Sequence, residues 1–480
     1  MNTVFIFSDQ HTRSVMGCYG NGKAHTPNLD CLAKAGAVFN NAYSSCPICV
    51  PVRASMVTGQ DIHQISAWDN ASPYTGAYTG YGHRLRDNGV YTVAVGKLHF
   101  RNCKDDTGFV QQIIPLHVRN GTGDLYATLR EKDTCKPAIG RMVKEAGYGT
   151  SPYIEYDISV TREALKVLRK QSAVGQDFHL LIGYTLPHFP YVSPKECWNL
   201  FDEKELPIPY AAFPGQWPEY QFCKELRDFA GNTKGYSVAE VKKAVHAYYG
   251  MCAFLDQQVG DVLEEIERLG IMKDTYIIYS SDHGEMLGNH GLWNKNCMYE
   301  DSVGVPLIIS GPEIPEGRKV ETLVSTIDFY PTLLEMSGVP LTDTDKKLPG
   351  ESLLHFVQQE QANRSVLSQY HASGATSGGF MLRYKRFKYI YYVGREAILF
   401  DLESDPRELE NLIGKPAWAS IAEQMDWKLR KRISPEETDA LARYEQEIKI
   451  RANGGREKIR NEANPVIFSK PPKVNEGGEE

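Results

Sequence analysis

Four short runs of β-branched and aromatic residues recur in the first two-thirds of the chain, at residues 3–7, 92–95, 179–183 and 276–280. Runs of this kind predict buried strands, and the helical patterns between them predict parallel connections. This alternation is typical of an α/β fold in which a large, mostly parallel sheet is flanked by helices.

Two helices are predicted from the signals at their ends. Residues 28–36 form a helical pattern that ends at a glycine. Ser237 is followed three residues later by Glu240, and this capping box predicts the start of a long helix. The helical pattern runs to about Leu269 and stops at Gly270.

The pattern changes after about residue 345, where strands are predicted to pair antiparallel. The predicted strands are residues 365–370, 379–393 and 398–402, and the predicted polar helices lie near residues 416–431 and 435–450. We therefore predict a catalytic α/β domain over residues 1–350. A smaller C-terminal subdomain, a small antiparallel sheet plus helices, is predicted over residues 351–480.

Unusual polar residues directly follow each of the four N-terminal strands. These candidates are Asp9, Gln10, Lys97, His99, His188, Asp282 and His283. In an open parallel sheet, sites form at the carboxyl ends of the strands, so we expect these side chains to converge on one crevice. Each also has a plainer interpretation, because a lysine after a strand is usually solvated and an Asp-His pair often caps a helix.

The segment CVPVRASMVTG, residues 49–59, carries the most specific chemistry in the chain. Pro51 suits the first turn of a helix, so we expect Cys49 at a helix N-terminus, where backbone N–H groups favour an anion. Cys46 and Cys49 also form a C-x-x-C, a spacing that suggests a redox pair or half of a zinc site. No second C-x-x-C follows in the sequence, and a buried cysteine is often only a small hydrophobe.

The same segment resembles the signature of the type I sulfatases, C-x-P-x-R followed by T-G. In that family a maturation enzyme oxidises the cysteine to formylglycine, whose hydrated aldehyde supplies the nucleophile that attacks a sulfate ester. The resemblance therefore implies a sulfatase, a sulfuric ester hydrolase, with a formylglycine derived from Cys49. It also implies an alkaline-phosphatase-like fold and a formylglycine-generating maturation enzyme as a partner.

A divalent cation is a second implication of the resemblance. The residues that match the calcium ligands of the family are Asp9, Gln10, Cys49, Asp282 and His283. Gln10 stands where many members carry a second aspartate, so one negative charge is missing. Ca²⁺ is the expected ion, with Mn²⁺ or Mg²⁺ as alternatives, because His283 adds a softer nitrogen ligand.

The remaining catalytic residues come from two further motif matches. GVYTVAVGKLH resembles the family's G-Y-x-T…G-K-x-H block, and LPHFP resembles its P-H-x-P. By these matches Lys97 contacts the diol and the sulfate, and His99 is the base that releases sulfate. Arg53 would hold the formylglycine hydroxyl, while His188 and Lys295 would lie on the leaving-group side.

The segment GEMLGNHGLWNK, residues 284–295, is another strong resemblance to sulfatases. The expected substrate-binding residues are Lys97, His188, His290 and Lys295. A run that begins at Asp401, DLESDP, resembles the C-terminal subdomain of the family. The matching motifs therefore cover roughly residues 3–412.

The alcohol half of the substrate is less well defined by these motifs. KLHF and WDNAS resemble choline-sulfatase-like members, whereas HAYYGMCAFLDQQVG resembles arylsulfatase K, which acts on 2-sulfated glucuronate. The expected substrate is a sulfated carbohydrate, such as a uronate 2-sulfate, or a small organic sulfate. The alternative function is that of a phosphonate monoester or phosphodiester hydrolase, because that group shares the fold and the C-x-P-x-R.

Composition restricts the partners of the chain. Its 480 residues include 53 basic and 60 acidic side chains, and a net charge of −7 gives no reason to expect nucleic acid or an anionic membrane as a partner.

Neither a signal peptide nor an apolar run of about 20 residues is visible. We expect a cytoplasmic protein, or a periplasmic one if a leader was removed, whose ten cysteines are mostly reduced. No pattern indicates an oligomeric state.

Overall fold

The computed structural model describes residues 1–462 and 469–472. The strands in this part of the chain are β1 (Asn2–Ser8), β2 (Ala37–Phe39), β3 (Ala42–Tyr43), β4 (Tyr91–Lys97), β5 (Gln111–Leu116), β6 (Gly147–Tyr148), β7 (Phe178–Gly183), β8 (Val192–Ser193), β9 (Thr275–Ser281), β10 (Leu307–Ser310), β11 (Arg318–Val320), β12 (Val324–Ser325), β13 (Ser365–Tyr370), β14 (Gly379–Tyr384), β15 (Phe387–Tyr392) and β16 (Ile398–Asp401).

The α-helices of the same part are α1 (Pro27–Lys34), α2 (Cys49–Thr58), α3 (Tyr81–Asp87), α4 (Pro137–Lys144), α5 (Pro152–Val174), α6 (Lys195–Trp198), α7 (Gln221–Phe229), α8 (Val238–Arg268), α9 (Glu300–Val303), α10 (Phe329–Met336), α11 (Leu353–Gln358), α12 (Ala419–Arg432), α13 (Pro435–Ala452) and α14 (Gly455–Asn461). The capping box predicted at Ser237 is present, and α8 ends before Gly270 as expected.

An eight-stranded sheet forms the centre of the protein, in the order β11-β2-β10-β9-β1-β7-β4-β5. All neighbouring pairs in it are parallel except those that β10 makes with β9 and β2. The four strands predicted in the N-terminal region are β1, β4, β7 and β9, and they lie next to one another. The predicted mostly parallel α/β fold is confirmed.

Helices cover both faces of this sheet because successive side chains of a strand point to opposite sides. Val4 and Ile6 of β1 belong to a core shared with α5 and α8. Phe5 and Phe7 belong to a second core, shared with α2 and α10. Since β1 is buried on both faces, its sequence is a continuous apolar run rather than an alternating one.

The C-terminal part adds a separate four-stranded antiparallel sheet in the order β13-β14-β15-β16. The single strand predicted over residues 379–393 was wrong, because β14 and β15 form a hairpin there. Its turn contains Lys385 at φ 51°, a left-handed conformation that a lysine seldom adopts. Neither glycine nor asparagine marks this turn, so the sequence carried no signal for it.

A buried charge cluster joins the two sheets. Lys388 of β15 is completely buried, and its Nζ lies 2.9 Å from Glu300 and 2.8 Å from Glu408. Glu300 begins α9, just after the motif that carries Lys295, and it also pairs with Arg13. The C-terminal sheet is therefore tied electrostatically to the segment next to the predicted site.

Replacing Lys388 with methionine is expected to lower the free energy of unfolding by about 3 kcal/mol, because the buried Glu408 and the partly buried Glu300 lose their shared cation. Burial already raises the pKa of Glu408 to about 7, and loss of Lys388 would raise it further. Because a raised folded-state pKa makes stability fall as pH rises, the deficit should grow between about pH 7 and about pH 9. Urea unfolding at both pH values measures it, and Lys385→Met, on the exposed turn, is the matched control. Equal midpoints for the two variants would contradict the prediction.

Among the described residues, no helix is both long enough and apolar enough to cross a membrane. The location of the protein stays a prediction from the sequence.

Candidate active site

Four neighbouring strands bring polar residues to one edge of the central sheet. Asp9 follows β1, Lys97 ends β4, His188 follows β7 and Asp282 follows β9. Because β1 pairs in parallel with β7 and β9, and β7 with β4, the carboxyl ends of all four strands lie side by side. The structure thus assembles residues that are far apart in the sequence.

Cys49 lies at the start of α2, with Pro51 in the first turn of the helix. Its Sγ is 3.2 Å from Nε2 of His283 and 3.7 Å from Oδ1 of Asp9. Burial, and then the charge of Asp9, raise the pKa of Cys49 to about 12. The thiol is therefore protonated at neutral pH and is a weak nucleophile in its unmodified form.

Asp9, Cys49, Asp282 and His283 are all buried, and each offers one ligand atom within 4.8 Å of the others. Burial, and then the charge of Asp9, raise the pKa of Asp282 to about 7, so the pair of carboxylates favours added positive charge. Nδ1 of His283 donates to the Gly284 carbonyl at 3.1 Å, which leaves the lone pair of Nε2 facing Cys49. Histidines that bind metals usually donate the N–H of their other ring nitrogen to a carbonyl or carboxylate in this way. The donor set therefore fits a divalent cation.

Gln10 lies beside this donor set in a left-handed backbone conformation, at φ 68°. Its amide oxygen accepts a hydrogen bond from Nζ of Lys295 at 2.5 Å, and its amide nitrogen donates to Glu285. As an oxygen ligand, Gln10 would have to share or exchange this bond with Lys295. Its role in metal binding stays a prediction.

Arg53 and Lys97 supply positive charge to the two carboxylates. Nζ of Lys97 lies 2.6 Å from Asp9, while Arg53 reaches Asp282 at 3.0 Å and Asp9 at 3.4 Å. Burial acts to raise the pKa of Asp9, but nearby positive charge, above all that of Lys97, holds it well below its usual range. Arg53 also donates to the carbonyl of Lys97 at 2.9 Å. In this structure Arg53 orients the carboxylates, and its contact with a hydroxyl of residue 49 stays a prediction.

His99 lies next to this group, directly after β4, at φ 56°. Within the described part of the chain, neither nitrogen of its buried ring has a hydrogen-bond partner. Burial, and then the charge of Lys97, hold the pKa of His99 well below its usual range. A neutral imidazole without a partner is suited to accept a proton.

His188 and Lys295 reach the site from the loops that follow β7 and β9. Nδ1 of His188 donates to the Phe189 carbonyl at 2.7 Å, and its Nε2 lies 4.0 Å from Asp9. Burial, and then Lys295, hold the pKa of His188 well below its usual range. Nζ of Lys295 lies 5.1 Å from the centre of the Phe189 ring. This side of the site thus combines a neutral imidazole with an ammonium group.

His290 is not brought into the cluster. Its ring stacks on Tyr299 with 4.0 Å between the ring centres, and it meets the edge of Tyr210. The predicted contact between His290 and substrate therefore gains no support from its position.

The cluster opens into a cavity of about 660 Å³. The predicted site residues in its wall are Cys49, Lys97, His99, His188 and Lys295. A volume of this size is typical of a site for a small molecule, and it suffices for a sugar ring.

Three supporting residues were missed by the sequence predictions. Glu285 accepts hydrogen bonds from the Asn294 backbone at 2.7 Å and from the Gln10 amide. Tyr248 donates to the Gln10 carbonyl at 2.6 Å, and Asp157 accepts from the backbone of the loop before His188. Glu285 lies inside the GEMLGNHGLWNK motif. Its place in that motif was a signal from which a supporting role could have been predicted. The other two lie in long helices where nothing in the pattern distinguishes them.

Comparison with known proteins gives the family. The family model described as Sulfatase matches residues 1–339, and the model described as N-sulphoglucosamine sulphohydrolase, C-terminal, matches residues 288–434. The chain belongs to the sulfatase family. The resemblance predicted from the sequence is thereby confirmed.

Two relatives illustrate the place of this sulfatase in the family. A choline-sulfatase of Rhizobium meliloti (strain 1021) is 33% identical over 413 residues, which cover 82% of this chain and 78% of that protein. Arylsulfatase K of Homo sapiens is 29% identical over 473 residues, which cover 93% of this chain and 85% of that protein. The chain is an enzyme that hydrolyses sulfate esters.

Solved structures confirm the fold. A protein in complex with its substrate D-glucosamine-2-N,6-O-disulfate has a TM-score of 0.75 at 22% identity, covering 90% of this chain and 97% of that one. A phosphonate monoester hydrolase of Agrobacterium radiobacter has a TM-score of 0.71 at 22% identity, covering 90% and 95%. At this level of identity the likeness establishes the alkaline-phosphatase-like fold, and it does not distinguish the two activities.

Proposed function

We propose that this sulfatase cleaves a sulfate monoester through a formylglycine derived from Cys49, next to a divalent cation. The position of Cys49 carries the proposal, because its Sγ lies at a helix N-terminus, 3.2 Å from His283 and 3.7 Å from Asp9. A formylglycine-generating maturation enzyme is the partner that this chemistry requires. Once hydrated, the modified residue supplies an oxygen nucleophile in place of the protonated thiol.

The cation would be held by Asp9, Asp282 and His283, with residue 49 and the amide oxygen of Gln10 as further ligands. Oxygen-rich ligands favour Ca²⁺, and the histidine nitrogen keeps Mn²⁺ or Mg²⁺ as alternatives. Such an ion would neutralise the two carboxylates and favour the ionised form of a hydroxyl on residue 49.

Two side chains and a helix N-terminus are placed to balance the charge of the sulfate group. Lys97 and Lys295 line the cavity beside Cys49. The free N–H groups at the start of α2 and the dipole of this helix add partial positive charge at the same place. These groups favour an anion whose charge shifts towards the leaving oxygen as the S–O bond breaks. Arg53 would act on the sulfate only indirectly, since its donors are used by Asp9 and Asp282.

Starting from an ionised hydroxyl on residue 49, the reaction needs two further proton transfers. When an oxygen of residue 49 bonds to sulfur, the S–O bond to the alcohol breaks and the leaving oxygen takes up a proton. Lys295, with His188 beside it, is assigned to that step. The second hydroxyl of residue 49 then loses a proton as the aldehyde re-forms and sulfate leaves. We assign His99 as the base, since its buried ring is neutral and has no hydrogen-bond partner among the described residues.

The substrate proposed is a sulfated carbohydrate, such as a uronate 2-sulfate, or a small organic sulfate. The name of the choline-sulfatase relative supports a small organic sulfate, and the sugar disulfate bound in a solved structure of the same fold supports a sulfated carbohydrate. The cavity of about 660 Å³ has room for either.

Sulfate and phosphonate esters with the same aryl leaving group separate the proposal from its alternative, a phosphonate monoester or phosphodiester hydrolase. We expect kcat/KM for 4-nitrophenyl sulfate to exceed that for 4-nitrophenyl phenylphosphonate by about 100-fold or more, because the chain belongs to the sulfatase family and the phosphonate carries a phenyl ring in place of one terminal oxygen. Release of 4-nitrophenol measures both rates. A higher kcat/KM for the phosphonate would instead establish the alternative function.

A further inference from the structure

Arg227 and Asn232 line the same cavity as Cys49 and Lys295, although no motif assigns them a role. Arg227 lies near the end of α7, and Asn232 follows in the next turn, where its N–H donates to the Arg227 carbonyl at 2.8 Å. Both side chains are more than nine-tenths buried, with exposures of 8% and 5%.

Arg227 is a buried cation that has no anionic partner in the part of the chain that the structure describes. Within residues 1–462 and 469–472, no carboxylate oxygen forms an ion pair with it, and its Nη1 has no hydrogen-bond partner. Its Nη2 reaches only the Pro218 carbonyl, at 3.4 Å, and its guanidinium lies over the Trp217 ring, 4.6 Å from the ring centre. An unpaired buried charge destabilises the folded protein, and an anionic ligand that pairs with it would offset this penalty.

The other buried cations in the wall of this cavity differ from Arg227. Lys97 is paired with Asp9, and Lys295 is hydrogen-bonded to Gln10. Arg227 is thus the buried cation of the wall whose charge nothing in the proposed reaction uses.

Asn232 adds an acceptor next to this donor. Its amide nitrogen donates to the Gly291 carbonyl at 3.2 Å, which fixes the orientation of the amide. Its Oδ1 is buried and has no hydrogen-bond partner among the described residues. Gly291 lies four positions before Lys295 in the same segment, so the pair is connected to the proposed leaving-group side of the site.

We propose that Arg227 and Asn232 form a subsite for a second anionic group of the substrate, with Arg227 binding that anion and Asn232 accepting a hydrogen bond from a neighbouring hydroxyl. The inference rests on the proposed function, since it concerns the alcohol half of the sulfate ester. The anion is a carboxylate or a second sulfate, both of which match the fork of a guanidinium. A cationic alcohol such as choline is disfavoured, because it would share a buried cavity with an unpaired guanidinium.

The test compares sulfate esters that differ in one charge: glucuronate 2-sulfate, glucose 2-sulfate and glucose 2,6-disulfate. Wild-type kcat/KM is expected to favour an anionic ester over glucose 2-sulfate by about 30-fold or more, the range for a buried charge pair. Arg227→Met should reduce this ratio to less than about threefold, and Arg227→Lys should give an intermediate value because it keeps the charge without the fork. Preference for the uronate identifies the anion as a carboxylate, and preference for the disulfate identifies it as a sulfate.

Lys224→Met is the matched control, because it removes an exposed positive charge from the same helix. It should leave the selectivity ratio of the wild type in place. An equal loss on all three esters in Arg227→Met would overturn the inference, since a purely structural role would not discriminate between them. So would a wild-type enzyme that shows no preference for an anionic ester.

Calorimetric binding to the Cys49→Ala protein separates this inference from the proposed reaction, because it requires no turnover. Tighter binding of an anionic ester than of glucose 2-sulfate, lost on adding Arg227→Met, supports the subsite even if the mechanism at residue 49 is wrong. Turnover of 4-nitrophenyl sulfate by the wild type, together with equal binding of charged and uncharged sugar sulfates, would refute the subsite and leave the proposed function standing.

Discussion

Replacing Cys49 with alanine is expected to lower kcat for a sulfate ester by about 10⁴-fold or more, because removal of a covalent nucleophile leaves only binding and charge stabilisation. The thermal stability should change little, since alanine leaves the start of α2 intact and removes only one buried sulfur. Steady-state release of 4-nitrophenol measures kcat, and a thermal melt checks the fold.

Cys46→Ala is the matched control, because Cys46 is also buried and lies three residues away, outside the donor set. It should retain activity close to that of the wild type. In the active wild type, the peptide that contains residue 49 should have the mass of an aldehyde in place of a thiol. Fully active protein that still carries an alkylatable thiol at residue 49, or a Cys49→Ala variant with normal kcat, would rule out the proposed role.

Replacing Asp9 with asparagine is expected to lower kcat/KM by about 10³-fold. Loss of a charged ligand weakens cation binding, and the cation is what activates the nucleophile.

The wild type should also gain about 2.7 kcal/mol of stability when Ca²⁺ is present at a hundredfold excess over its Kd, and a chelator should reverse the gain. The variant should lose most of this response. Urea unfolding with and without Ca²⁺ measures it, with Mn²⁺ and Mg²⁺ as parallel additions.

Asp256→Asn provides the comparison for Asp9→Asn. Asp256 is a buried aspartate on α8 that accepts hydrogen bonds from the first turn of α1, and it lies outside the donor set. That variant should be less stable and yet keep the response to Ca²⁺. Were Asp9→Asn to respond to the ion as the wild type does, the assignment of Asp9 as a ligand would be wrong.

Much of the fold was predictable from its buried strands, and the site was predictable because its polar residues come directly after those strands. Asp9, Lys97, His188 and Asp282 are scattered along the sequence, but they meet at one edge of the sheet because the strands before them are neighbours and run parallel. The hairpin between β14 and β15 escaped prediction because Lys385 adopts a positive φ without a residue that signals a turn. Tertiary packing there outweighs local preference.

Within the site, the residue types were predictable and their partners were not. The sequence pointed to Gln10 and Arg53, but it gave no sign that Lys295 bonds the Gln10 oxygen or that Arg53 bridges two carboxylates. Such contacts depend on side-chain directions that only the folded chain defines. Arg227 was missed for the same reason, since a lone arginine in a helical pattern is usually solvated.

The burial of Cys49 at the start of α2 determines whether oxidation of this residue comes before or after folding. Cys49 is 3% exposed at the bottom of a cavity that admits a monosaccharide, and all ten residues of its helix are buried. A catalyst the size of a protein cannot reach that sulfur through such a cavity once the chain has folded. The oxidation that we propose must therefore happen on the nascent or unfolded chain, and enzyme that folds first is committed to remaining inert.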